Sequence, residues 1–145
     1  MIKWILLLTA AVLLWIHEYK QEQNDIRAEF NPDWSRRWIW DRSYRESRTP
    51  SCPSMLLELL SHQNFADMKY GLDPSFRFTV SRAVYKGMLK YLSNRYGCAY
   101  VVQPLPVSSI GVAFAGNGKA EIKWVPTTDE LEETAVPDGF ILYTR

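Results

Sequence analysis

An apolar run at residues 55–60 carries a carboxylate, Glu58, in its middle. A continuous apolar run of this length is typical of a strand buried on both faces inside a parallel sheet. A charge in such a strand is costly unless a cation pairs with it or it faces a cleft. Open α/β sheets place ligands beyond the carboxyl ends of their strands, where perturbed carboxylates concentrate. The run therefore predicts a buried ion pair at Glu58 or, as the favoured hypothesis, a functional carboxylate at a sheet edge.

Two helices are predicted after this run from their boundary residues. Asn64, with Asp67 three residues later, indicates a capping box and a short helix over residues 65–69 that Gly71 closes. Asp73-Pro74 indicates the start of a longer helix, because a cap residue followed by proline suits the first helical position.

The longer helix is amphipathic and ends at Gly97. Its apolar residues recur at intervals of three and four, which predicts one face docked under a sheet, with Lys86 and Lys90 on the opposite face. The apolar face comprises Phe76, Val80, Ala83, Val84, Gly87, Met88, Tyr91 and Leu92. A short strand is predicted at residues 99–103, and Pro104-Leu105-Pro106 indicates a stiff linker.

Beyond Pro106 the apolar period changes from helical to strand-like. Residues 110–114 and 120–124 alternate in polarity around Gly116-Asn117-Gly118, which predicts a hairpin, and residues 140–144 indicate a third strand. Two or three strands cannot bury their faces alone. The segment therefore indicates the opening of an antiparallel β-sandwich.

The first residues are typical of a targeting segment. Lys3 precedes an uncharged run at residues 4–16, which is apolar apart from Thr9. The run is shorter than the roughly 20 residues that cross a bilayer but suits a signal-peptide core. A bulky sequence follows instead of a small-residue cleavage site, so a signal anchor and a buried core helix remain alternatives. Residues 18–31 predict a helix, and residues 34–48 predict a strand or extended segment.

Charge and cysteine content exclude some classes of function. The formal net charge is +1, with 17 basic and 16 acidic side chains, so no concentrated basic face indicates nucleic acid as a partner. Cys52 and Cys98 stand far apart, without a second thiol or His at metal-ligand spacing. Two unpaired thiols are favoured over one disulfide.

The string Pro53-Ser-Met-Leu-Leu-Glu58, with Asn64 and the helix Ser81-Arg-Ala-Val-Tyr-Lys-Gly-Met-Leu-Lys-Tyr91, resembles zinc-dependent N-acetylmuramoyl-L-alanine amidases. The longer stretch through Gly71 and Val101-Val-Gln-Pro-Leu-Pro106 is similar to large secreted bacterial proteins, some labelled xanthan lyases. In these an amidase-like domain continues into a fibronectin type III domain, whose opening resembles residues 112–144 here.

The resemblance implies a catalytic role for Glu58, as the acid/base beside a zinc-bound water that attacks the amide between muramic acid and L-alanine. It implies zinc in the parent family and peptidoglycan or another envelope glycan as partner. The zinc ligands of that family, two His and one Glu, lie upstream of this strand. The chain offers only His17 and His62, which match no ligand motif, so a three-ligand zinc site is not expected here.

The expected fold class is α/β: a partial amidase-like sheet with packed helices, then an incomplete antiparallel sandwich. The expected organisation is a signal peptide or anchor at 1–20, an amidase-like part at 21–103, a linker at 104–106 and fibronectin-like strands at 107–145. The expected function is an exported fragment of a zinc-dependent cell-wall or polysaccharide hydrolase that is inactive alone. The alternative is a non-enzymatic envelope protein that binds partners and is anchored in the membrane through residues 4–16.

Overall fold

A computed structural model of the chain describes residues 2–35 and 44–144. The described residues form α1 (Ile2–Glu29), α2 (Arg45–Arg48), α3 (Phe65–Gly71), α4 (Pro74–Tyr96), β1 (Ser109–Gly116) and β2 (Lys119–Val125). The chain divides into two compact units, Met1–Ala99 and Tyr100–Arg145. At a coarse level this mixture of helices and sheet is consistent with the α/β class.

The first unit is built on an antiparallel pair of long helices, α1 and α4. Leu14 in the middle of α1 packs on Tyr91 near the end of α4, and Ile26 near the end of α1 packs on Phe76 and Val80 near the start of α4. The two backbones come closest at Gly87, where an added Cβ would lie 2.5 Å from the Cα of Glu18. Glycine is therefore required there by the approach of the helices.

The starts of α3 and α4 and the end of α4 confirm the predictions from local sequence, but α3 continues through Gly71, the residue predicted to close it, and has Leu72 as its C-cap. The Asn64 side chain accepts a hydrogen bond from the Ala66 N–H (3.0 Å), and Asp73 accepts one from the Ser75 N–H (2.8 Å). Gly97 ends α4 in the left-handed conformation, with φ of 68°. The capping-box detail is wrong, because Asp67 Oδ2 instead accepts a hydrogen bond from the Ser61 N–H (2.9 Å).

The predicted packing of α4 under a sheet is wrong, because α4 packs on α1. The buried face is rotated from the predicted one: Met88 and Leu92 are exposed, Val84 is only half-buried, and Lys86 is 1% exposed. The rotation follows from the partner, since α1 presents carboxylates to α4 and thereby places a lysine inside the interface. The full set of buried residues on α4 is Phe76, Thr79, Val80, Ala83, Lys86, Gly87 and Tyr91.

The predicted strands at residues 55–60 and 99–103 are also wrong, since both segments lack regular secondary structure. Within the described part of the chain, β1 and β2 are the only strands. A strand is defined by a hydrogen-bonded neighbour, which the local apolar pattern does not supply. The first of these segments lies instead against the helix pair, where Met55 contacts the Leu14–Tyr91 cluster and Leu59 contacts the cluster around Ile26.

The second unit contains the predicted β hairpin. β1 and β2 pair antiparallel, and the partners Ile110↔Trp124, Val112↔Ile122 and Phe114↔Ala120 lie on one face. Gly116, Asn117 and Gly118 all have positive φ, at 81°, 50° and 71°. This conformation favours the Gly-Asn-Gly sequence of the turn.

The loop after β2 folds back on the residues that precede β1. Thr127 Oγ1 donates a hydrogen bond to the Pro106 carbonyl (2.6 Å), and Tyr100 Oη donates one to Glu132 (2.7 Å). The proline segment predicted as a linker is thus held inside the second unit. The predicted third strand at 140–144 is not formed, although the Phe140 ring lies 5.4 Å from that of Trp124.

Three further predictions concern residues in the first unit. The helix predicted at residues 18–31 is confirmed as the second half of α1, which runs without a break from residue 2. Most of the extended segment predicted at 34–48 lies outside the described residues, and its last part is α2. Cys52 and Cys98 are both exposed and unbridged.

Among the described helices, none has the length and apolar character needed to cross a membrane.

Candidate functional site

Glu58 lies on the solvent side of a segment that has only one face covered. Burial alternates along it: Met55, Leu57 and Leu59 are half-buried, whereas Leu56 and Glu58 are exposed. This period of two is typical of extended chain with one covered face. The expectation of a carboxylate inside a strand buried on both faces is therefore wrong, and the hydration of Glu58 removes the need for a buried cation.

The surroundings of Glu58 are fixed by the turn that leads into α3. Ser61 accepts a hydrogen bond from the Asn64 N–H (3.0 Å) and donates its own N–H to Asp67. His62 and Gln63 lie exposed between these anchors. The turn thus holds the end of the Glu58 segment in place, and a carboxylate there is open to water and to a substrate.

The histidines do not assemble a metal site with Glu58. His17 lies on α1, where its Nε2 is 3.1 Å from Asn94 Nδ2 on α4, whereas His62 lies in the exposed turn after Glu58. Over residues 2–35 and 44–144, no group of three His, Cys, Asp or Glu side chains is arranged to hold a metal ion. The donors present in the described residues do not fit a three-ligand catalytic zinc.

A polar cluster that the sequence analysis missed lies between α1 and α4. Lys86 Nζ is 2.6 Å from Asp25 Oδ2, and both side chains are nearly fully buried. Gln21 donates a hydrogen bond to Asp25 Oδ1 (2.8 Å) and accepts one from Lys90 Nζ (2.6 Å). Glu18 and Glu22 are fully buried on the same helix.

This polar cluster fixes the register of the two helices. A buried ion pair with satisfied hydrogen bonds adds little net stability, but a shift of one helix along the other leaves its charges unpaired. At the far end, Thr79 Oγ1 donates to Glu29 Oε2 (2.5 Å). The signal in the sequence was the matched spacing of four residues between Gln21 and Asp25 and between Lys86 and Lys90.

Comparison of the chain with protein-family models, curated proteins and solved structures found no significant match.

Proposed function

We propose that this chain is part of an exported cell-wall or polysaccharide hydrolase, in which an amidase-like segment is joined to the opening strands of a fibronectin-like sandwich. In this proposal the chain alone is inactive, and the parent activity is zinc-dependent cleavage of the N-acetylmuramoyl-L-alanine amide. The proposal is supported above all by the uncovered apolar face of the hairpin.

That face consists of side chains that a complete sandwich buries. Ile110 and Val112 are each more than 60% exposed, and Phe114 is 93% exposed. In a sandwich, two sheets pack face to face about 10 Å apart, and the side chains of both inner faces fill the space between them. A two-stranded sheet with one uncovered apolar face is marginal in water. An opposing sheet from a longer polypeptide is the partner that this pattern fits.

Glu58 is the acid/base residue in this proposal. It is hydrated and lies directly before an anchored turn, so it is open to a substrate amide. General acid/base catalysis needs such a carboxylate within hydrogen-bond reach of the proton that moves. The metal that activates the attacking water would be held by residues of the parent protein outside this chain. In this chain alone Glu58 therefore has no activated nucleophile to assist.

The proposal is tested by incubating the purified chain with cell wall in the presence of zinc. We expect no release of peptide from peptidoglycan. Zinc-dependent release that Glu58→Gln abolishes would overturn the proposed inactivity. The coding DNA on either side gives the second test: two-His-one-Glu ligand motifs upstream in any frame, with strand-forming segments downstream, support the parent assignment, and unrelated sequence on both sides contradicts it.

A second candidate is a non-enzymatic envelope protein that is anchored through residues 4–16 and binds partners with its folded part. It is favoured by the way α1 is integrated into the first unit: Asp25 and Gln21 pair with α4, and Gly87 admits the α1 backbone. A cleaved leader would remove part of this helix. The intact mass of the exported protein tests the second candidate: retention of residues 1–20 supports the anchor on which it depends, and their loss overturns it in favour of a signal peptide.

A further inference from the structure

One end of the helix pair lies near the N-terminal apolar run, residues 4–16. This end carries exposed apolar side chains from both helices. Met88, Leu92 and Tyr96 lie four residues apart on α4 and form one exposed stripe, with Tyr96 72% exposed. On α1, Leu13 and Ile16 are also exposed, one on either side of Leu14 in the sequence. Two contacts, Leu14 on Tyr91 and His17 on Asn94, join this part of α1 to the last turns of α4.

Cations border these apolar side chains. The Arg95 guanidinium lies 5.9 Å from the centre of the Tyr96 ring, and Lys20 is exposed one turn after Ile16 on α1. Tyrosine and basic side chains are enriched where a protein meets the lipid headgroups, because their apolar parts enter the bilayer while their polar ends stay hydrated.

The position of the apolar run selects lipid as the partner. From Leu14, α1 continues toward its first residue through the uncharged and mostly apolar residues of this run. If residues 4–12 enter a bilayer, the last turn of α4, with Arg95 and Tyr96, is carried to the headgroup level. A helix with apolar and basic residues so placed is held by apolar burial and by attraction to anionic lipid.

We propose that Leu13, Ile16, Leu92 and Tyr96, with Lys20 and Arg95 at their edge, form a docking surface for the headgroup region of an anionic bilayer. The inference deepens the second candidate function and rests on its anchoring step. It assigns to α4 a membrane contact in addition to the one made by the apolar run.

A fluorophore near the end of α4 tests this contact in the full chain. Cys98 is exposed two residues after Tyr96, so a Cys52→Ser variant can be labelled there with an environment-sensitive dye. We expect a blue shift and protection from an aqueous quencher on adding vesicles of phosphatidylcholine with phosphatidylglycerol. The control label is Ser75→Cys in a chain lacking both native thiols. It lies at the opposite end of α4 and should not change.

A double variant measures the contribution of the surface to binding. Leu92→Ser with Tyr96→Ser should weaken vesicle binding about tenfold or more, because two exposed apolar side chains lose their burial in the lipid. The control is Phe65→Ser, which removes an aromatic side chain on α3 that is even more exposed than Tyr96. Far-UV circular dichroism checks that both variants keep their helices.

The outcomes separate this inference from the anchoring on which it rests. A chain that binds no vesicles overturns both. Vesicle binding with an unshifted Cys98 label and an unaffected double variant leaves the apolar run as the anchor and overturns the α4 contact. Self-association without lipid that the double variant abolishes, together with an unshifted label, would make the surface a protein interface and also overturn the inference.

Discussion

In the helix pair charged side chains lie inside the interface, whereas in the β hairpin apolar side chains lie outside. Lys86 and Asp25 are buried between α1 and α4, but Ile110 and Phe114 are exposed on β1. The contrast shows which elements find their partners within this chain. The helices pair through apolar contacts and complementary charges, and the hairpin presents a face that two strands cannot cover.

The largest expected effect comes from breaking the buried ion pair. Lys86→Met should lower the free energy of unfolding of the helical unit by about 3–5 kcal/mol, because Asp25 is left buried without its cation. Adding Asp25→Leu should restore part of the loss, since no buried charge is then left without its partner, although Gln21 loses the carboxylate that accepts its N–H. Urea titrations followed by helical circular dichroism measure both. A loss below about 1 kcal/mol for the single variant would mean that the interface is hydrated.

The same substitution in the two units sharpens the comparison directly. Ile26→Ala should destabilise the helical unit by about 2–5 kcal/mol, because Ile26 is fully buried against Phe76 and Val80. Ile110→Ala should cost less than about 1 kcal/mol in the hairpin, where that side chain is 64% exposed. Equal costs would show that the hairpin face is covered in solution, and the uncovered-sandwich proposal would lose its main support.

Gly87→Ala is expected to have the next largest effect. Alanine usually stabilises a helix relative to glycine, but here the new methyl group would meet the backbone of Glu18 and push the helices apart. Overpacking of this kind costs about 1–3 kcal/mol.

Gly71→Ala in α3 is the matched control for Gly87→Ala. Its nearest neighbour is the flexible end of Met68, at 3.1 Å, so the change should stay within about 1 kcal/mol. Urea titration of both variants makes the comparison. A stabilising effect of Gly87→Ala would contradict the close crossing of α1 and α4.

The helix ends and the hairpin turn were predictable because their chemistry is local. Asn64, Asp73 and Gly97 act on backbone groups within a few residues, and Gly116-Asn117-Gly118 satisfies a left-handed turn by itself. The strand predicted around Glu58 would need neighbouring strands to pair with, and a local sequence pattern does not show whether these exist. An apolar run specifies burial but not the element that buries it.

The rotated face of α4 was missed for a related reason. Apolar spacing alone places Met88 and Leu92 inside and Lys86 outside, whereas the structure reverses them because α1 presents Asp25 and Gln21. The burial of Lys86 depends on its ion pair with Asp25, which lies in a distant segment of the sequence. Glu58 could be singled out from the sequence. Its exposure could not, because it depends on which side of its segment the helix pair covers.

The smallest expected effect is that of Glu58→Gln on stability. Glu58 is hydrated on the uncovered side of its segment, and a substitution at such a position usually changes the free energy of unfolding by no more than about 0.5 kcal/mol. Asp67→Ala is the control nearby, because Asp67 accepts the Ser61 N–H and the loss of that hydrogen bond should cost about 0.5–1.5 kcal/mol. Urea unfolding of the two variants side by side makes the comparison. A loss above about 1 kcal/mol for Glu58→Gln would mean that the carboxylate is paired within the fold and serves stability. A neutral result would give Glu58 no role in stability, as its proposed acid/base role requires, and that role would then be tested by peptidoglycan cleavage in the longer protein that we propose.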